Sequence, residues 1–231
     1  MKGFLLLPAL LFLLFGTPAF AELDKGYDAY RSGDYTTAFK EWRPLAEQGV
    51  TDAQFNIGWM YNNGIGVEKD YKIAIKWYQL AADNEHADAQ YILALMYQKG
   101  KGTTRDSRAA VRYLEKAVKQ GHIKAQYILG MMYYDGKGVT RDYEAAIRLF
   151  KSAAEQGHAT AQYNLGYMYQ KGYGVNRDYN RAYMWLNISA SQGTRIAVVN
   201  RDIVESEMTP TQIEEAQNLA LECVAKNYKD C

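Results

Sequence analysis

This chain of 231 residues has few cysteines, prolines and histidines, and its net charge is small. The chain has 2 cysteines, 4 prolines and 3 histidines, and 27 basic residues stand against 26 acidic ones. A formal net charge of +1 favours neither nucleic acid nor an acidic membrane surface as a partner. The common motifs of serine hydrolases, β-lactamases and zinc proteases do not occur, so the sequence predicts no catalytic residues and no cofactor.

Residues 1–21 have the features of a secretory signal peptide. Lys2 precedes an apolar run from Phe4 to Phe15, and Ala19-Phe20-Ala21 matches the small-x-small pattern that signal peptidase reads. The apolar run is short for a membrane span. We therefore predict cleavage after Ala21 and export to the periplasm, with secretion into the medium as the alternative destination. An uncleaved N-terminal anchor is the competing interpretation of this segment.

The two cysteines, Cys223 and Cys231, are predicted to form a disulfide. Export exposes them to an oxidising compartment, and two thiolates alone would leave a zinc ion half coordinated. Closing such a small loop contributes roughly 2–3 kcal/mol in the chain-entropy model. Their spacing is not C-x-x-C, so the pair does not indicate a redox enzyme.

The chain repeats itself every 36 residues, and this repeat predicts the architecture. Four copies without insertions begin at an Ala-Gln dipeptide, and we number positions within a copy from that alanine; the copies start at Ala53, Ala89, Ala125 and Ala161. Each copy holds two apolar stripes with helical spacing. A single helix hairpin cannot bury both stripes, whereas stacked hairpins can, so the fold class is predicted to be an all-α solenoid.

The repeat divides the chain into successive segments. We predict a signal peptide at 1–21, a degenerate N-terminal hairpin at 22–52, repeats at 53–88, 89–124, 125–160 and 161–196, and a capping region at 197–231. Pro44 falls inside the second helix of the degenerate hairpin and is expected to kink it. Thr209, Pro210 and Gln212 predict a capping box at the start of a final helix. Its apolar face is expected to comprise Leu219, Cys223 and Ala216 or Ala220.

The four copies resemble the Sel-one-like repeat (SLR) family, a relative of the tetratricopeptide repeat. The shared pattern is A-x-x-x-L-G-x-x-Y-x-x-G-x-G-V-x-x-D-x-x-x-A, followed by an aromatic residue and A-A-x-x-G, over residues 53–196. Glu85 and Ala94 replace glycines of this pattern, and Thr103 and Ser107 depart from it in the second copy. The resemblance implies a non-catalytic adaptor in envelope complexes, secretion, polysaccharide export or signalling.

Two other functions remain open at this point. Some cysteine-rich members of the family that the chain resembles bind or hydrolyse cell-wall peptides or β-lactams, although they carry a cysteine pair in each repeat and this chain does not. A secreted factor that engages host proteins is the other alternative.

The glycine loop GKGVTRD has the ingredients of a phosphate cradle before a helix, but three sibling loops favour a structural role. In each copy an aspartate stands where the second helix begins and is predicted to be its N-cap, which places an anion where a phosphate would bind; these are Asp70, Asp106, Asp142 and Asp178. The histidines also share one repeat position, too far apart to ligate one metal. We expect them in turns after a helix C-terminus, where positive charge is favoured; they are His86, His122 and His158.

The partner is predicted to be a protein or peptide, bound on the first helices of the copies. By analogy with tetratricopeptide arrays these helices would line a concave surface, and positions seven and ten vary between copies. Position three is aromatic in every copy, which favours packing there. We refer to the side chains at positions seven and ten as the groove residues: Trp59, Asn62, Leu95, Gln98, Met131, Tyr134, Tyr167 and Gln170.

Overall fold

The computed structural model describes residues 17–231, which form twelve α-helices and no strand. Most of the predicted signal peptide, residues 1–16, lies outside the described range, and the predicted cleavage site after Ala21 falls within the first helix. In chain order the helices are α1 Thr17–Arg31, α2 Tyr35–Glu47, α3 Thr51–Asn63, α4 Tyr71–Asp83, α5 Ala87–Lys99, α6 Ser107–Lys119, α7 Ile123–Asp135, α8 Tyr143–Ala154, α9 Ala159–Lys171, α10 Tyr179–Ser191, α11 Arg195–Glu205 and α12 Pro210–Ala225.

The described part of the chain divides into two compact units, of which the first ends at residue 89 and the second comprises residues 90–231. In the first unit α1 pairs with α2 and α3 pairs with α4, and the two hairpins meet through α2 and α3. In the second unit α7 pairs with α8 and α9 with α10, while α6 packs against α7 and α8 against α9. The predicted stacking of helix hairpins is therefore confirmed within each unit.

The second helix of every copy begins at the aspartate that the sequence predicts as its N-cap. Asp142 Oδ1 accepts from the backbone N–H of Ala145 at 2.9 Å, and Asp70 Oδ1 accepts from those of Lys72 and Ile73 at 2.7 and 3.0 Å. Asp106 and Asp178 make the equivalent bonds. Each carboxylate therefore accepts from one or two of the free N–H groups at the start of its helix, and the predicted N-caps are confirmed.

The second glycine of three of the loops, at Gly66, Gly138 and Gly174, lies against the preceding repeat of the same unit. Gly138 has φ +77°, and a Cβ added there would lie 2.5 Å from the carbonyl oxygen of Ser107, at the start of α6. Gly174 makes the same close approach to the backbone of Tyr143, at the start of α8. The loop glycines therefore permit backbone-to-backbone contact between neighbouring repeats.

Replacing Gly138 by alanine should destabilise the protein more than replacing Gly121. Both glycines have positive φ, +77° and +78°, but nothing lies within 4 Å of an added Cβ at Gly121. We expect Gly121→Ala to cost about 1 kcal/mol from backbone strain and Gly138→Ala about 2–4 kcal/mol, because overpacking adds to the strain. Urea unfolding of both variants measures the difference, and equal costs would contradict the contact of the loop with the preceding repeat.

A buried glutamine at position two joins three helices in each unit. Gln162 is 0% exposed; its Nε2 donates to the carbonyl of Ala154 at the end of α8, and its Oε1 accepts from Gln192 Nε2 at 2.7 Å beyond α10. In the first unit Gln54 likewise donates to the Ala46 carbonyl at 3.2 Å. Its Oε1 accepts from Asn84 Nδ2 at 3.3 Å. One side chain thus ties a first helix to its own second helix and to the preceding repeat.

The two ends of the array depart from the regular copies. In the degenerate hairpin α2 runs continuously from Tyr35 to Glu47 with Pro44 inside it. At the other end the predicted capping box is confirmed: Thr209 Oγ1 accepts from Gln212 N–H at 3.3 Å, and Gln212 Oε1 accepts from Thr209 N–H at 2.9 Å.

The apolar face of α12 differs from the prediction at one residue. The helix packs against α10 and buries Ala216, Ala220 and Cys223, whereas Leu219 is 39% exposed. The small side chains allow α12 to approach α10 closely, whereas Leu219 lines an open pocket together with Asn180 and Met184 of α10. The predicted inclusion of Leu219 in the apolar face was therefore wrong.

The disulfide that the sequence predicts is present between Cys223, in α12, and Cys231. Their Cα atoms are 5.5 Å apart, a usual separation for a disulfide. Between the two cysteines Tyr228 packs against the buried cluster that includes Phe150 and Trp185. The bond therefore holds the last residues of the chain against the core of the second unit.

Candidate partner-binding surface

The groove residues all lie on the first helices of their copies, and seven of the eight are partly exposed. In the second unit they follow successive first helices at the repeat period, so Leu95, Met131 and Tyr167 at position seven form a mainly apolar row, and Trp59 occupies the same position in the first unit. The pairs are Trp59 and Asn62 on α3, Leu95 and Gln98 on α5, Met131 and Tyr134 on α7, and Tyr167 and Gln170 on α9.

Gln170 differs from the other groove residues because it is buried. It is 7% exposed, and its Oε1 accepts no hydrogen bond from the described residues. Helix α9 packs against α8, α10 and α11, which leaves little of its surface open at this position. Gln170 therefore does not present a surface for a partner, and we leave it out of the proposed binding surface.

The aromatic residues at position three pack against the histidines. The ring of Phe55 stacks on His86 with a centroid separation of 4.4 Å, Tyr91 on His122 at 4.7 Å and Tyr127 on His158 at 4.8 Å. These contacts connect the two ends of one repeat. They support the packing role that the sequence suggests for position three.

The histidines lie in the turns after the second helices, as the sequence predicts, but their rings act as N-caps of the next helix and not as cations at the C-terminus of the preceding one. His122 Nδ1 accepts from the N–H of Ala125 at 3.0 Å and His158 Nδ1 from that of Ala161 at 3.1 Å; His86 makes the same bond to Ala89. An accepting Nδ1 carries no proton, and a helix N-terminus disfavours positive charge. The neutral form of the ring therefore holds the start of the first helix of the next repeat.

Burial lowers the pKa of His158 from its ordinary value of 6.5, and the positive charge of Lys124 lowers the pKa further against an opposing backbone hydrogen bond. Well above pH 6.5 the ring is neutral in both the folded and the unfolded chain, so the cap is intact. As the pH falls from there through the lowered pKa, the unfolded chain binds the proton first. Folding stability therefore declines over that interval.

Replacing His158 by asparagine should reduce the loss of stability on acidification. Asparagine caps helices well but does not titrate, so this variant keeps a cap and lacks the contribution of His158 to the pH dependence. Urea unfolding at about pH 8 and about pH 5 should show a smaller change in the free energy of unfolding for the variant than for the wild type. Equal changes in the two proteins would contradict the neutral cap.

Four tyrosines of the second unit form a cluster that includes two of the groove residues, Tyr134 and Tyr167. The ring of Tyr134 lies 5.3 Å from Tyr143 and 6.2 Å from Tyr173, and Tyr143 stacks on Tyr173 at 5.0 Å. Tyr167 joins the cluster through Tyr173 at 6.3 Å. Burial, with the neighbouring tyrosines and Asp135, raises the pKa of Tyr134 to about 12. The Tyr134 hydroxyl therefore stays protonated and uncharged at neutral pH.

Two small pockets, one in each unit, open beside these side chains. Each pocket has a volume of about 190 Å³. We name them the Asn56 pocket, lined by Tyr27, Tyr30, Trp42, Phe55, Asn56 and Trp59, and the Asn164 pocket, whose lining includes Met131, Tyr134, Phe150, Tyr163, Asn164 and Tyr167.

The two pockets are built from equivalent positions of the repeat. Asn56 and Asn164 both occupy position four, where the two intervening copies have Ile92 and Ile128. Position seven is aromatic in the same two copies that carry the asparagine. Sequence reasoning missed position four, although the difference between asparagine in the outer two copies and isoleucine in the inner two could have revealed it.

Within residues 17–231 no cluster of three or more histidine, cysteine, aspartate or glutamate side chains could hold a metal ion. In the same range no helix combines the length and apolar character that crossing a membrane requires.

These features define an all-α protein built from helix-hairpin repeats, of the solenoid class. The Sel1 repeat model matches residues 51–86, 87–122, 123–158 and 159–194, which is more than half of the chain. The chain belongs to the Sel1 repeat family, whose members are generally protein-interaction scaffolds without catalysis. The matched segments start where the first helices start, two residues before each Ala-Gln dipeptide.

Solved structures of this family are similar to the chain. A Sel1 repeat protein from Oxalobacter formigenes is 31% identical with a TM-score of 0.72, and the match covers 87% of this chain and 75% of that one. A protective antigen with an SLR fold, present in uropathogenic Escherichia coli strains, is 28% identical with a TM-score of 0.58 over 91% of this chain and 55% of that one. This chain therefore spans about half the length of the E. coli protein. Comparison with curated proteins gave no match.

Proposed function

We propose that the chain is an exported scaffold of the bacterial cell envelope that binds a protein partner on its first helices and has no catalysis of its own. The observation that carries the proposal is the row of partly exposed, mainly apolar side chains at position seven. Apolar and aromatic side chains that stay accessible on a rigid frame are typical of the centres of protein interfaces. The family to which the chain belongs supports the same class of function.

Three features support export. The signal-like residues 1–21 carry the sequence pattern of a cleaved leader. The disulfide between Cys223 and Cys231 requires an oxidising compartment to form and persist. The related structures come from bacteria. The periplasm satisfies all three features.

The rigidity of the frame supports binding with little rearrangement. Each second helix is capped by its own aspartate, and three of the loops make close backbone contacts with the preceding repeat. Buried glutamines fix neighbouring helices within each unit. A surface held in this way loses little conformational entropy when a partner binds.

Truncation of groove side chains should remove the partner. Crosslinking in living cells followed by mass spectrometry, applied to the wild type, Trp59→Ala and Tyr167→Ala, should show a fall of at least about tenfold in one or more crosslinked proteins, as expected for the centre of an interface. Leu80→Ala is the matched control, because Leu80 is 46% exposed on a second helix.

Folding must be separated from binding in this experiment. Trp59 lies 5.6 Å from Tyr30 in edge contact, so its truncation also removes packing. Leu95→Glu provides an independent variant, since it adds a charge to the row without creating a large cavity. If stably folded Trp59→Ala, Tyr167→Ala and Leu95→Glu proteins all retain every crosslinked partner, the proposed surface is wrong.

A further inference from the structure

We propose that a basic face of α6 attaches the protein to the surface of a bilayer that contains anionic phospholipids. Five basic side chains form this face, one just before the helix and four within it. We name them the basic ridge: Arg105, Arg108, Arg112, Lys116 and Lys119. The ridge lies on a second helix, whereas the groove residues lie on first helices. Attachment through the ridge therefore goes beyond the proposed function and does not depend on it.

Positive charge is concentrated in one part of a chain that is nearly neutral as a whole. Residues 99–124 contain eight basic side chains and two acidic ones, whereas residues 202–225 contain six acidic side chains and no basic one. All eight basic side chains of residues 99–124 are exposed. The formal net charge of +1 therefore does not reveal the strongly basic region of the second unit.

The spacing of the ridge places it on one side of α6. From Arg108 to Lys119 its members follow one another at intervals of four, four and three residues, which is the spacing of neighbours on a helix surface. Every exposed residue of α6 is charged, and Glu115 is the single acidic one among them. Arg105 lines the same open pocket as Arg108 and so continues the ridge beyond the start of the helix.

The other copies show that the fold does not require this row of charge. At the five equivalent positions the first copy has three basic residues, the third copy has two basic and two acidic ones, and the fourth copy has a single basic one. All four copies nevertheless form the same second helix. The second copy alone carries a basic residue at all five positions.

The ridge costs folding stability that the rest of the chain does not restore. Like charges four residues apart on a helix destabilise it, and Arg112 has such a neighbour on each side, Arg108 and Lys116. Glu115 offsets part of this repulsion. No member of the ridge forms a salt bridge with another residue in the described range 17–231. Charge that the fold neither requires nor neutralises indicates an anionic ligand.

The form of the ridge favours an extended anionic surface. Between Arg108 and Lys119 the helix rises about 16 Å, which is too long for a single phosphate group to contact every cation. The centre of a protein interface is usually apolar or aromatic, and single-stranded nucleic acid stacks on aromatic rings, whereas every exposed residue of α6 is charged. An anionic bilayer attracts each basic residue without apolar contact. Export to the periplasm would place the ridge beside such bilayers.

Vesicle sedimentation tests the proposal. The purified protein is centrifuged with vesicles of phosphatidylglycerol and phosphatidylethanolamine in equal parts, and with vesicles of phosphatidylcholine alone, which carry no net charge. We expect saturable binding to the phosphatidylglycerol vesicles in about 0.1 M sodium chloride and at least about tenfold weaker binding to the phosphatidylcholine vesicles. Raising the salt to about 1 M shortens the range of the attraction to about 3 Å and should release the protein.

Arg108→Glu combined with Lys116→Glu is the ridge variant. Each basic residue near an anionic surface contributes roughly fivefold in affinity, so this variant should bind the phosphatidylglycerol vesicles at least about tenfold more weakly than the wild type. Lys226→Glu combined with Lys229→Glu is the matched control, because both lysines are exposed in the same unit and the net charge changes equally. Arg108→Lys keeps the charge and should bind as the wild type does.

The ridge variant should fold at least as stably as the wild type. Each new carboxylate lies four residues from Arg112, which replaces repulsion by attraction, and the third copy already has Glu144 at the position of Arg108. Urea unfolding checks this expectation. Arg108→Gln combined with Lys116→Gln, which adds no charge, provides a second variant and should show an intermediate loss of affinity.

The groove variants keep this test separate from the proposed partner surface, since Trp59→Ala and Tyr167→Ala should bind the vesicles as the wild type does. Three results would each overturn the proposal: no saturable binding to the phosphatidylglycerol vesicles, binding that persists in about 1 M salt, or equal binding by the ridge variant and the control. Ridge-dependent binding of duplex DNA or polyglutamate without binding to vesicles would also overturn it, because the ridge would then serve another polyanion.

Discussion

The stacking of one repeat on the next depends on a buried glutamine side chain. A carboxamide in the interior must satisfy both its N–H and C=O groups, and Gln162 does so only when α9 lies between the end of α8 and the turn after α10. The same demand recurs at Gln54 in the first unit. Apolar stripes would tolerate sliding of one helix along another, whereas these hydrogen bonds permit one register. The glutamine therefore sets the position of every side chain on the first helices.

Helix caps made by side chains complete this frame and close it to ligands at the loops. At the start of each second helix a backbone N–H group donates to an aspartate, and histidines accept in the same way from the first helices that follow them. A phosphate would have to displace a carboxylate that is already bound. We therefore propose recognition on the faces of the first helices, where the repeat allows residues to vary without loss of a cap or a buried hydrogen bond.

Variation at two positions converts this constant frame into different surfaces. Where position four is asparagine and position seven is aromatic, the first helices form the Asn56 and Asn164 pockets. Where position four is Ile128, the isoleucine side chain packs against the core of the second unit. The chain thus changes the chemistry of its surface from repeat to repeat at positions that make neither the caps nor the buried glutamine hydrogen bonds. This separation of frame and surface is what allows one fold to serve many partners.

The sequence by itself determined the helix hairpins, their stacking, the aspartate caps and the pairing of Cys223 with Cys231. Periodicity and capping are local properties, and four in-register copies make them readable without a partner in space. Tertiary structure decided the rest. Histidine caps, the buried state of Gln170, the exposure of Leu219 and the pockets around Asn56 and Asn164 all depend on which neighbour covers a side chain. A period of 36 residues specifies that two positions are equivalent, but only the packed helices decide whether each position lies open or enclosed.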